Sequence, residues 1–171
     1  MKVGVLTISD RSFSGERPDT SGPRLVEHIR ALGWAVARQA IVPDEQERIE
    51  QLLIDWSDSG EVELILTTGG TGFAERDRTP EATQRVIERP APGMAEAMRA
   101  ASLRTTPHAM LSRAVSGIRG RCLIVNLPGS PKAALENLAV LEPALPHAIA
   151  LLQDPGGAES GHAPKPTVKR A

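Results

Sequence analysis

The stretch Leu64-Ile-Leu-Thr-Thr-Gly-Gly-Thr-Gly-Phe-Ala-Glu-Arg-Asp-Arg-Thr-Pro-Glu81 carries an apolar run directly into a glycine-rich turn and then into the opening of a helix. Leu64 to Thr67 predicts a buried strand. Thr79-Pro80-Glu81 predicts a helix start, with Thr79 as N-cap, Pro80 in the first turn and Glu81 favoured by the helix dipole. Between them, Gly69-Gly70-Thr71-Gly72 can take positive φ and bring the backbone close to a ligand, and free N–H groups at such a turn can surround an anion. The same loop carries Asp77, whose carboxylate repels a phosphate unless a cation lies between them.

Strands alternate with helices on either side of this unit. Lys2 to Ile8 reads as a strand buried on both faces, followed by the polar loop Ser9 to Gly15. A helix is predicted from near Ser21, with Leu25, Ile29 and Leu32 at helical spacing and Gly33 placed to end it. Trp34 to Val42 reads as a second strand stopping at Pro43-Asp44-Glu45, and Ile49, Leu52, Leu53 and Trp56 mark a second helix. Pro90 and Pro92 separate the helix after Thr79 from one containing Met94, Met98 and Ala101. Ala114 to Ile118 and Arg121 to Leu127 predict a hairpin across Arg119-Gly120, adding an antiparallel strand. Leu127-Pro-Gly-Ser-Pro-Lys132 opens a closing helix with Leu135, Leu138 and Leu141, broken by Pro143 and Pro146 and resumed through Ile149 and Leu152.

This alternation predicts a three-layer α/β domain over 1–152, a mostly parallel sheet with helices on both faces plus the antiparallel hairpin strand. Residues 153–171 are rich in Gly, Pro, Ala and Lys without apolar period, so a disordered tail is expected there. The length of 171 residues suits one domain. A net charge of −1 leaves no electrostatic footprint for nucleic acid or an acidic membrane, and 2% aromatics without Tyr argues against base or flavin stacking. Cys122 is the sole cysteine and sits in an apolar run, so burial rather than nucleophilic use is expected. A reducing compartment fits one unpaired thiol. Met1 to Ile8 is too short for a secretory leader and no run approaches a membrane span, so a cytoplasmic protein is expected.

In sheets of this kind ligands bind beyond the carboxyl ends of the strands. The four loops that follow strand ends are Ser9 to Gly15, Pro43 to Glu45, Gly69 to Asp77 and Pro128 to Lys132, and they hold nearly all the distinctive polar residues. Gly69 to Gly72 matches neither a Walker A loop nor a dinucleotide fingerprint, so on its own it reads equally as an anion site or as a tight connection. Pro128-Gly-Ser-Pro131 carries the same ambiguity, since Ser130 and Pro131 form a good cap and first helical position. Two such loops on one sheet edge favour a ligand with two polar ends. Asp44 and Asp77 are the acids singled out by their shared place after strand ends. His28, His108, His147 and His162 lack metal-ligand spacing, and no Ser has the partners of a hydrolase triad.

Thr67-Thr-Gly-Gly-Thr-Gly72, Arg76-Asp-Arg-Thr-Pro-Glu-Ala82, Pro43-Asp-Glu45, Leu111-Ser-Arg113 and Asn126-Leu-Pro-Gly-Ser-Pro-Lys132 together resemble the signature segments of the MogA/MoaB family, which is similar to the G domain of gephyrin. Ile8-Ser-Asp-Arg11 and Ser21-Gly-Pro23 extend the resemblance over roughly 1–152. It implies a doubly wound α/β fold and a homo-oligomer, a trimer in the MogA branch and often a hexamer in the MoaB branch. It also implies transfer of AMP from Mg-ATP to molybdopterin, with release of pyrophosphate, ahead of molybdate insertion and in contact with the molybdate-inserting enzyme. A non-catalytic pterin carrier or scaffold of the MoaB type is the alternative. By motif, Asp44 and Asp77 match the catalytic acids and are the residues expected to hold Mg²⁺ or its waters. Ser9, Ser14, Gly15, Thr68, Gly69, Gly70, Thr71, Gly72, Ser112, Pro128, Gly129 and Ser130 match segments that bind molybdopterin or ATP.

Overall fold

The computed structural model describes residues 1–154. The chain runs through β1 (Lys2–Ile8), α1 (Asp10–Phe13), α2 (Ser21–Ala31), β2 (Ala35–Val42), α3 (Gln46–Asp58), β3 (Leu64–Thr68) and α4 (Thr79–Val86). It continues with β4 (Arg89–Pro90), α5 (Pro92–Leu103), a 3₁₀ turn at Pro107–Leu111, β5 (Ser116–Arg119), β6 (Cys122–Leu127), α6 (Pro131–Leu141) and α7 (Leu145–Gln153). The strands form one six-stranded sheet in the order β2-β1-β3-β6-β5-β4. The first four are mutually parallel, while β5 runs antiparallel to β6 and β4 antiparallel to β5.

The period of two along each strand sends alternate side chains to opposite faces. Val3, Val5, Leu64, Leu66, Leu123, Val125 and Leu127 pack with Leu25 and Ile29 of α2, Met98 of α5, Leu138 of α6 and Ile149 of α7. Leu6, Ile8, Ile65 and Ile124 pack on the other face with Ile49, Leu53 and Trp56 of α3 and Val86 of α4. Helices therefore cover both faces, as the near-continuous apolar strands require. Gly4 faces Trp56 and admits no side chain, since an added Cβ would lie 2.7 Å from the indole ring.

The chain passes from β1 outward to β2, then returns across β1 to pair β3 on its other side. β1 and β3 thus flank a topological switch point, where the loops diverge to opposite faces and leave a crevice. The antiparallel hairpin is present. A two-residue strand around Pro90, unforeseen because proline cannot complete a ladder, adds an outer edge. Thr79 is not the N-cap of α4: the helix already includes it, and its buried hydroxyl instead donates to the carbonyl oxygen of Gly69 at 2.9 Å. α7 continues through Gln153, and the expected disorder of the tail falls from residue 155 onward outside the described residues. Among the described residues no single helix is long and apolar enough to cross a membrane.

Candidate functional site

The carboxyl ends of β1, β2, β3 and β6 open onto a cavity of about 570 Å³, lined by Ser9, Asp10, Asp19, Asp44, Thr68, Gly69, Gly70, Asp77, Gly129 and Ser130 among others. All four strand-end loops contribute to it. Thr71, Gly72, Ser112 and Pro128 instead line a second cavity of about 300 Å³ with Arg99, Asn137 and the 3₁₀ turn. The glycine loop and the Pro128–Ser130 loop form the wall between the two. Ser14 and Gly15 line neither cavity; both are exposed, and the Ser14 hydroxyl turns back to the carbonyl oxygen of Arg11 at 3.3 Å.

Local chemistry explains the shape of the glycine loop. Gly69 at φ +105° and Gly70 at φ +62° occupy backbone space that favours glycine. Gly72 lies outside that region, yet an added Cβ would stand 2.9 Å from Asp77 Oδ2. A Cβ on Gly70 would stand 3.1 Å from Asp44 Oδ1. The loop is therefore flanked by Asp44 at Gly70 and by Asp77 at Gly72. The N–H groups of Gly70, Thr71 and Gly72 have no acceptor among the described residues, leaving three donors available to a ligand. The second loop is tied down by Thr68 Oγ1 donating to the Pro128 carbonyl (2.7 Å) and by Ser21 Oγ donating to the Gly129 carbonyl (2.6 Å).

Burial pushes the Asp44 carboxyl above its ordinary range; the neighbouring charges of Asp10 and Asp77 push the same way, against the opposing hydrogen bond from Asp10 and the charge of Arg76. Asp10 is held low, chiefly by the Arg76 guanidinium, which donates to it from Nε at 3.0 Å and Nη2 at 2.8 Å. Asp77 is fixed by the Ala74 amide donating to its Oδ2 at 2.9 Å. Its loop is clamped by Arg113, which donates to the carbonyls of Gly72 and Asp77, each at 2.6 Å, and to the Glu81 carboxylate.

Sequence reasoning missed Asp10 and Arg76 as parts of the site, and it gave Arg113 no role. The signal for Asp10 was its position directly after β1; that for Arg113 was its place in Leu111-Ser-Arg113. Cys122 is buried, with its thiol pushed up to about 11 by burial, which removes it from nucleophilic chemistry. His28 pairs with Glu142 at 2.6 Å, away from the cavity. No cluster of three or more His, Cys, Asp or Glu suited to a metal occurs among the described residues.

A switch-point crevice with free loop amides and two carboxylates beside them gives this α/β domain an arrangement that can hold an anionic ligand together with a counter-charge. The sequence profile of the family described as "Probable molybdopterin binding domain" matches residues 4–147, and the chain belongs to that family. It is 43% identical over 152 residues to a molybdopterin adenylyltransferase of Helicobacter pylori, covering 88% of this chain and 86% of that one. It is 48% identical over 160 residues to gephyrin of Dictyostelium discoideum, where it spans only 22% of the relative's length. The crystal structure of the molybdopterin biosynthesis enzyme MoaB from Thermus thermophilus superposes with a TM-score of 0.83 at 52% identity, covering 88% of this chain and 95% of that one.

Proposed function

We propose that this protein is a molybdopterin adenylyltransferase, transferring AMP from Mg-ATP to molybdopterin and releasing pyrophosphate in molybdenum cofactor synthesis. The observation that carries the reading is the pair Asp44 and Asp77 set against the Gly69–Gly72 loop, in a chain similar along most of its length to proteins named for that activity.

The acceptor is the terminal phosphate of the pterin, whose second pKa near about 6 leaves it ionised at neutral pH. One of its oxygens forms the new bond to the α-phosphorus of ATP, the bond to the bridging oxygen breaks, and that electron pair leaves with pyrophosphate. A general base contributes little here. The demand is to bring two anions together and to stabilise charge on the leaving group. The amides of Gly70, Thr71 and Gly72 supply fixed donors for phosphate oxygens, and the Pro128–Ser130 loop packs against the glycine loop in the same wall.

Asp44 and Asp77 fit Mg²⁺, which is commonly held by one or two carboxylates with substrate phosphates and waters completing its shell. The upward push on Asp44 from burial and from neighbouring acids is the strain that a bound cation would relieve. Bound there, Mg²⁺ would neutralise charge on the ATP phosphates. Asp44 and Asp77 would orient it while the chain's amides hold the oxygens beyond it.

The active form is a homo-oligomer, a trimer or a hexamer, acting in the cytoplasm; light scattering on purified protein and cell fractionation test these two points. The activity is tested by incubating the protein with molybdopterin, ATP and Mg²⁺, then assaying the AMP adduct by mass spectrometry together with pyrophosphate. Pterin binding without adduct would instead assign a carrier role.

A further inference from the structure

Asp10 is the point where three of the four cavity loops meet. Its backbone N–H donates to Asp44 Oδ2 at 2.8 Å, and its own Oδ1 accepts from the Asp44 N–H at 2.9 Å. The pair closes a reciprocal ring between the loop after β1 and the loop after β2. From the loop after β3, Arg76 grips the same carboxylate through two donors. Both oxygens of Asp10 are thus engaged, and the side chain is not free to act as base or ligand. Asp44 is different: only its Oδ2 is engaged, leaving Oδ1 facing the glycine loop.

Resting on the proposed adenylyl transfer, we propose that Asp10 is a positioning residue that fixes the Asp44 carboxylate against the glycine loop, with Arg76 as the counter-charge that lets Asp10 stand so near it. Asp10 lies 34 residues from Asp44 and 66 from Arg76, so its bonds tie together loops that are distant in sequence. Without Arg76, the Asp10 charge would press directly on Asp44. Without Asp10, the Asp44 amide would lose its acceptor, and a misplacement of about 1 Å at a reacting centre can cost on the order of 100-fold in rate.

Three variants separate these roles. Asp10→Ala removes the acceptor for the Asp44 amide. Asp10→Asn keeps an oxygen at that point but removes the charge. Arg76→Met leaves the charge uncompensated. Expected are a tenfold or greater fall in kcat and a raised Mg²⁺ requirement for Asp10→Ala, with the KM for molybdopterin within about twofold of the starting protein. Asp10→Asn should recover most of that loss, and adding Asp10→Asn to Arg76→Met should restore turnover that Arg76→Met alone has lost. Hydrogen exchange at the Asp44 amide should accelerate in Asp10→Ala and stay slow in Asp10→Asn, a readout that needs no catalysis. Wild-type kcat and Mg²⁺ requirement in Asp10→Ala, or an Asp10→Asn as impaired as Asp10→Ala, would overturn the proposal. Unchanged exchange at the Asp44 amide in Asp10→Ala would overturn it even if the protein forms no adduct. Absence of adduct from the unmutated protein would overturn the parent activity and the positioning role in it.

Discussion

Gly69→Ala is the sharpest test of the fold at the glycine turn. At φ +105° a Cβ is strained wherever it points, and a non-glycine residue in such a conformation costs about 1–3 kcal/mol. Here the Cβ would also fall inside 3.0 Å of the Ile8 carbonyl oxygen, a backbone atom at the end of β1 that cannot swing aside. Relief requires β1 and β3 to part at their carboxyl ends, and a forced shift of that kind adds about 1–3 kcal/mol. The total is about 2–6 kcal/mol, which places the variant among severely destabilising substitutions. Gly120→Ala supplies the control, because Gly120 also has positive φ (+54°) but nothing lies within 4 Å of an added Cβ; it should cost only about 1 kcal/mol.

Urea denaturation followed by circular dichroism reads the difference, with all variants at one protein concentration because any assembly would make stability depend on it. In a chain of this size about 1 kcal/mol corresponds to roughly 2–4 °C. The control should therefore melt a few degrees low, and Gly69→Ala on the order of 10 °C low. If Gly69→Ala cost no more than Gly120→Ala, the close approach of the turn to β1 would be refuted, leaving only the generic cost of positive φ.

Asp77→Asn should slow adenylyl transfer by about 10–100-fold and blunt its Mg²⁺ dependence while sparing pterin binding; unchanged turnover at saturating Mg-ATP would remove Asp77 from the mechanism. Burial pushes Glu81 upward, but hydrogen bonds from Arg113 and its own amide outweigh this and hold it low, so its ionised form stabilises the fold above the ordinary glutamate range. Glu81→Gln should accordingly cost stability at pH 7, and the gap should close as pH falls through the depressed pKa; a gap that is constant from pH 7 to pH 3 in urea melts would contradict the Arg113 pairing. Cys122, buried with its thiol at about 11, should react with a thiol reagent at pH 8 only as fast as the protein opens, and rapid stoichiometric labelling of folded protein would contradict its burial.

Strands and helices were legible where apolar period and punctuation agreed. Val3, Val5, Leu64 and Leu66 announce buried parallel strands, and Gly33, with φ +76°, ends α2 as its position suggests. The strand at Arg89–Pro90 was illegible because it borrows its pairing from Gly117 and Ile118 rather than from its own composition. Thr79 looked like a cap because Thr-Pro-Glu is a capping pattern, but a hydroxyl ten residues beyond Gly69 found a better acceptor across the turn. Asp44 and Asp77 could be picked out by following strand ends. Asp10 meets the same criterion after β1, but its pairing with Arg76 was not legible, since it is a bond between loops 66 residues apart and nothing in either local sequence encodes the partner.

The electrostatics of the crevice bear on how the substrate enters it. Asp10, Asp19, Asp44 and Asp77 line the cavity together with Arg11 and Arg17, and Arg76 pairs with Asp10 beside them. Asp44 and Asp77 stand directly against the loop of free amides, so for a bare polyphosphate the donors that attract its oxygens stand beside acids that repel them. The same arrangement is well matched to a polyphosphate carrying its own divalent cations, which the acids attract while the amides meet the oxygens between them. On the proposed function the acids would act as a selector as well as a holder, disfavouring free anions and favouring the metal-bound form. On that proposal, two carboxylates beside a glycine turn suit transfer from a metal-bound nucleotide better than passive storage of a phosphorylated pterin.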